Sequence, residues 1–345
     1  MAGSVSLNSY QTFQTTLTCS SELKPMEPVA ISVLLALLSL PNKANAAPQV
    51  PCYFIFGDSL SDNGNNNNLS TLAKVNYPSY GTDFPQGPTG RFCNGRNMHD
   101  FIGIRDETGI NLGICVPLKE QIKNHQSIIS RITRLMQNDS ATELLLRQCI
   151  YSVQIGSNDY INNYFKPEFY ETSRSFTPSE YATLLVQQLS LQLKTLYNYG
   201  ARKFAVYGIG LIGCTPYAIS VLGRNRSECV LKLNEGATLF NDRLKPLIHQ
   251  LNNNLPDAKF VYLNPSGTPT SPAKFVTNSP CCKIGGGGGE LCLRNSKPCS
   301  RPWQYVFWDA VHPTEALNKI LAEGAYRSKS PLEASPLNIQ QLAMY

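Results

Sequence analysis

Charge is scarce in this 345-residue chain: 16% of its residues are charged, and the net charge of +6 is spread without a basic run or an interleaving of aromatics with arginine. That pattern argues against a nucleic-acid partner. Long hydrophobic runs are missing too. The main apolar stretch, Val29 to Leu40, counts twelve residues, too short for a transmembrane segment. No arginine occurs in the first ninety residues, which speaks against a transit peptide and makes a plastid destination the lesser reading. Internal repeats are absent. Histidine is limited to four residues, and the one cysteine cluster, Cys281, Cys282, Cys292 and Cys299, contains an adjacent pair poorly spaced for a tetrahedral zinc site. Neither a metal nor a cofactor is expected.

An apolar fraction of 42% over this length reads as one sizeable globular domain. The run ending at Leu40 is followed by Ala44-Asn45-Ala46, a small-x-small cleavage pattern, so residues 1–46 read as a leader with a secretory signal and 47–345 as the mature domain. Met1 to Lys24, rich in Ser and Thr and almost uncharged, is atypical of a basic signal start. The cysteines point to the same compartment. Four of the eleven surround the loop Gly285 to Gly289, which gains most from covalent closure, and Cys214 and Cys229 flank a polar loop in the same manner. Their pairing is not fixed by spacing. Asn68, Asn138 and Asn225 begin sequons that secretion would make usable. The expected location is therefore extracellular.

From Pro51 onward short β-rich runs alternate with longer helical ones. Tyr53 to Phe56, Cys149 to Ile155, Lys203 to Tyr207 and Lys259 to Leu263 read as buried parallel strands, and Leu118 to Met136, Pro178 to Tyr199 and Leu231 to Leu251 as helices. The alternation predicts a three-layer α/β/α sandwich on a parallel sheet, with its ligand site at the C-terminal strand ends. Asn264 to Pro302 is a Gly/Pro-rich excursion before the strand-like stretch Trp303 to Trp308 and a last helix from Pro313.

Gly57-Asp58-Ser59 places a serine on a polar turn directly after the first strand, and Gly156-Ser157-Asn158-Asp159 follows the second. A serine hydroxyl needs a general base, and the base needs an orienting partner. Among the four histidines, His125 and His249 read as exposed helix residues, and His99 lies in a helix-like run. His312 follows a strand end, precedes Pro313 and has Asp309 three residues before it. Ser59, His312 and Asp309 thus read as nucleophile, base and support, while Asn158 suits either an Asx turn or a hydrogen-bond donor to the reaction centre.

The blocks Gly57 to Asn66, Gly156 to Asp159 and Phe307 to Thr314 together resemble the plant branch of the GDSL family of SGNH hydrolases, as do Thr89-Gly90-Arg91-Phe92, Asn94-Gly95-Arg96, Gly213-Cys214-Thr215-Pro216 and Cys281-Cys282. The resemblance implies a flavodoxin-like fold with sheet order 2-1-3-4-5, the same catalytic roles, the Ser59 backbone amide and the Asn158 side chain as oxyanion donors, and hydrolysis of small-molecule or polymer-borne carboxylic esters, of lipid or acetylated-polymer kind. One family feature is missing. Asp100-Phe101-Ile102 runs directly into Gly103-Ile104-Arg105, where family members carry a further helix, a strand and a glycine that donates to the oxyanion. The expected fold therefore lacks an edge strand, and the alternative to an active esterase is a catalytically impaired or non-catalytic secreted protein of the same fold.

Overall fold

The structure is a computed structural model that describes residues 48–102, 117–223, 228–267, 275–286 and 289–345. Residues 1–46, expected to be a leader, lie outside these, as do Gly103 at the expected join and the sequon asparagine Asn225.

Four parallel strands form the centre: β1 (Tyr53–Gly57), β2 (Ile150–Gln154), β3 (Lys203–Tyr207) and β4 (Lys259–Leu263). All five residues of β2 are buried, as a strand covered on both faces requires. The sheet order is β1-β2-β3-β4-β7, where β7 (Ala334–Ser335) is a two-residue antiparallel addition to β4 that the sequence reading did not include. A separate pair joins β5 (Val276–Pro280), within the cysteine-rich excursion, to β6 (Tyr305–Phe307), in the strand-like stretch after it.

Period-two alternation divides the sheet residues between two cores. On one face Phe54, Phe56, Tyr151, Val153, Phe204 and Phe260 pack against α2 (Leu118–Met136), α4 (Pro178–Asn198) and α5 (Leu231–Asn254). On the other, Ile150, Ala205, Tyr207, Val261 and Leu263 meet α1 (Met98–Ile102), α6 (Glu315–Arg327) and α7 (Ile339–Met344). The helix α3 (Asp139–Gln148), capped by the Asn138 side chain on Ala141 N, leads into β2. Helix α4 opens with a capping box between Thr177 and Glu180 and has proline in its first turn, both standard stabilisers of a helix start. The helix expected from Pro313 is α6, which starts at Glu315 because the Thr314 side chain caps it and Pro313 pairs instead with Phe307; it is not the last, since α7 follows.

β1 is an outer strand of the described sheet. The Gln121 carboxamide on α2 takes a strand's place at one point, accepting from Gly57 N at 3.0 Å and donating to Gly57 O at 2.8 Å. Among the described residues there are four disulfides: Cys52–Cys149 at the start of β1 and β2, Cys214–Cys229, and the nested pair Cys281–Cys299 and Cys282–Cys292. The clustered cysteines are thus bridged rather than poised as zinc ligands. Cys93 is a buried free thiol.

Candidate active site

Gly57 ends β1 because nothing larger fits: a Cβ there would stand 2.5 Å from Ser61 Oγ and 2.9 Å from Gln154 O. The chain then turns tightly, with Ser61 N donating to Asp58 O at 3.0 Å and Leu60 N to Asp58 Oδ1 at 3.0 Å. Ser59 sits half-buried at the head of this turn. Behind it, the buried Ser61 hydroxyl donates to Gln154 Oε1 at 3.2 Å and lies 2.9 Å from His99 Nε2. Asp62 fixes the rest of the polar stretch by accepting from Gly64 N and Asn65 N.

The facing wall comes from the loop between β6 and α6. Trp308 N donates to His312 O at 2.8 Å, closing a short loop around the fully buried Asp309. Asp309 Oδ1 accepts from Val311 N at 2.9 Å and His312 N at 2.8 Å. The His312 ring directs Nδ1 at the same carboxylate, 2.8 Å from Oδ2, and Nε2 at Ser59 Oγ, also 2.8 Å away. Phe92 packs on the ring with centroids 4.7 Å apart. Tyr80, from a loop more than two hundred residues earlier, donates its hydroxyl to Asp309 Oδ2 at 2.7 Å and accepts from Cys292 N at 3.0 Å.

Burial alone pulls the His312 pKa down, but the Asp309 charge and hydrogen bond, helped by Asp58 and Glu290, outweigh it and leave the imidazole more basic than usual. Burial raises the Asp58 carboxyl despite the Leu60 amide and the His312 charge. Asp159 rises to about 6, chiefly by burial and further by the charge of Asp58.

Asn158 lies on a single helical turn after β2, entered through Gly156 at φ 123°, a backbone conformation that favours glycine. Its Nδ2 is 3.5 Å from Asp58 Oδ2, a distance at the limit of hydrogen bonding. Ser59, Asn158 and His312 all border one cleft of about 890 Å³, which continues along β1 past Gln121, His125 and Leu189. Among the described residues no cluster of His, Cys, Asp and Glu is arranged to hold a metal.

The structure therefore brings Ser59, His312 and Asp309 into one hydrogen-bonded line and sets Asn158 on the same cleft. His249 is exposed, as expected. His125 is not: it is 2% exposed, wedged edge-on against Phe54, Phe56 and Tyr151, with no hydrogen-bond partner for either ring nitrogen. His99 is buried as well, and its Nδ1 lies 3.2 Å from Tyr53 Oη. Burial lowers both imidazoles to about 4. Tyr80 escaped the sequence reading, since nothing in its loop marks a contact so distant along the chain.

A family model described as "GDSL-like Lipase/Acylhydrolase" matches residues 53–325. The chain is 45% identical over 341 residues to "GDSL esterase/lipase At1g29670" of Arabidopsis thaliana, covering 87% of this chain and 93% of that one. It is 41% identical over 356 residues to "GDSL esterase/lipase 7" of the same plant, with 90% and 97% covered. The matched lengths exceed the share of this chain they contain, since 87% of 345 residues is about 300 against 341 positions. This leaves about 40 positions of the first relative without a counterpart here, as expected if a segment is absent.

Proposed function

The chain belongs to the GDSL-like lipase/acylhydrolase family, and from that premise we propose that it is a carboxylic ester hydrolase in which Ser59 is the nucleophile, His312 the general base and Asp309 its support. The carrying observation is the 2.8 Å approach of Ser59 Oγ to His312 Nε2, with Asp309 held 2.8 Å from the opposite ring nitrogen. The serine proton passes to Nε2 as Oγ attacks the ester carbonyl carbon. Imidazolium forms beside the Asp309 carboxylate, which orients the ring and offsets the new charge. The tetrahedral oxyanion is received by the Ser59 amide and the Asn158 Nδ2 hydrogens. Collapse expels the alcohol, which takes the proton from Nε2, and water repeats the sequence in reverse to free the acid and the serine.

The substrate is a lipid or acetylated-polymer ester, and no metal or cofactor takes part. Four disulfides favour an oxidising compartment, so the protein is proposed to be secreted, with exposed Asn68 and Asn138 available for glycosylation. Turnover is reduced for want of the family's glycine amide, a reading favoured by the shortened match to the relatives and by β1 as an outer strand. A fluorophosphonate probe tests the assignment: it should label Ser59, fail on Ser59→Ala and react far more slowly with His312→Ala. Stoichiometric labelling of folded Ser59→Ala would remove the nucleophile assigned here.

A further inference from the structure

The turn carrying Asn158 runs on into a five-residue π-turn, Tyr160–Tyr164, and side chains four residues apart follow one another along it. Lys166 Nζ donates to Asn162 Oδ1 at 3.1 Å, and Asn162 Nδ2 donates to Asn158 Oδ1 at 2.8 Å. This chain has a fixed direction. An ammonium group offers donors only, so Asn162 must turn its oxygen to Lys166 and its NH₂ to Asn158. Asn158 must then accept through its oxygen, which commits its own NH₂ to the side of Asp58 and the cleft.

Lys166 is itself anchored. Its side chain is only 20% exposed, lies 3.7 Å from Glu290 Oε1, and stands over the Tyr217 ring at 5.3 Å. Burial alone would lower its pKa, but Tyr217 and Glu290 more than offset this and keep the ammonium charged. Without such an anchor, a terminal carboxamide has a broad, roughly two-fold torsion and can present oxygen in place of nitrogen. An oxygen facing the developing oxyanion would repel it.

We propose that Lys166 and Asn162 are positioning residues that hold the Asn158 carboxamide in the one orientation able to donate to the oxyanion. This rests on Asn158 acting as an oxyanion donor, as argued above. The relay supplies no proton and forms no bond to substrate; it acts only through the orientation of Asn158.

The test is steady-state hydrolysis of p-nitrophenyl acetate by the secreted chain, with kcat and KM measured separately. Asn158→Ala should lower kcat by about 100-fold or more, and Asn162→Leu by roughly tenfold with KM unchanged. Asn162→Asp keeps the size of the side chain and its bond to Lys166, but its carboxylate faces Asn158 Oδ1 and should reverse the carboxamide, so its loss should exceed that of Asn162→Leu. Lys166→Met should fall with Asn162→Leu, and Lys166→Arg should retain most of the rate. In an Asn158→Ala background, Asn162→Leu should have no further effect, which a general loss of structure would not reproduce. Equal losses in both backgrounds, or an unchanged kcat in Asn162→Leu beside a costly Asn158→Ala, would overturn the relay alone. An unchanged kcat in Asn158→Ala would remove both the relay and the oxyanion role on which it rests.

Discussion

Tyr80 donates its hydroxyl to Asp309 at 2.7 Å, on the oxygen that also lies 2.8 Å from His312 Nδ1. The phenol shares the carboxylate's negative charge with the imidazole. Tyr80→Phe should therefore make Asp309 a stronger partner for His312 and move the acid limb of kcat/KM to higher pH. It should also lower the melting temperature, because Cys292 N loses its acceptor in a buried setting, a loss of about 1–3 kcal/mol. A pH–rate profile and a thermal melt of the variant check both.

Activity and stability should respond to His312 in opposite directions. If His312 is the base proposed above, it must be neutral to accept the serine proton, and its pKa is raised above the usual 6.5, so kcat/KM should fall with an acid midpoint above that value. A raised folded pKa contributes stability that is fully present below the unfolded value and is lost as pH rises through the folded one. Asp309→Asn should lower the midpoint of the activity profile, and a titration of kcat/KM would show it.

Acid should destabilise the fold through His99 and His125. Both are held neutral by burial, with pKa values of about 4 against 6.5 unfolded. Their contribution is present above pH 6.5 and is lost as pH falls toward 4. Because neither His125 nitrogen has a partner, His125→Leu should leave the melting temperature at pH 7.5 unchanged or higher and flatten its decline on acidification. A marked loss at neutral pH would mean the ring has a polar partner in solution.

The disulfides should differ in worth. Cys52–Cys149 closes 97 residues and Cys214–Cys229 closes 15, for which chain entropy gives about 4.7 and about 3 kcal/mol. The paired serine substitution at Cys52 and Cys149 should lower denaturant stability more than that at Cys214 and Cys229.

Supplying the missing stretch should raise both rate and stability. Inserting the corresponding segment of an Arabidopsis relative between Ile102 and Gly103 should increase kcat on p-nitrophenyl acetate by about 100- to 1000-fold, the worth of one oxyanion donor. The melting temperature should rise with it. A higher melting temperature without a faster rate would show that the lost segment mattered only to the fold.

The central strands were legible because parallel strands covered on both faces are short apolar runs, and β3 and β4 match their predicted limits. Helix α2 does as well, and its buried stripe of Leu118, Ile122, His125, Ile128 and Ile132 shows that helical spacing already placed His125 inward. The polar residues beside it, Asn124 and Gln126, mask that signal. The nearness of Ser59 to His312, of His312 to Asp309, and of Asn158 to the same cleft was legible from local context, since each follows a strand end. Tyr80 was not, because its contact with Asp309 spans 229 positions of sequence, and the disulfide pairing was not, because loop closure alone does not choose among partners. Strand β7 is two residues long and carries no periodicity to read.

β1 also has a history during synthesis. Its partner β2 lies 97 residues downstream, as Tyr53 and Ile150 pair in register. At a ribosomal pace of about 5–20 residues per second, β1 waits about 5–20 seconds after its own synthesis before that partner exists. On its other side, among the described residues, no strand pairs with it, and the Gln121 side chain bonds to Gly57. Nascent chains on neighbouring ribosomes present the same sticky strand to one another over that interval, so crowding on a polysome, rather than the finished molecule's stability, would set the yield of soluble protein.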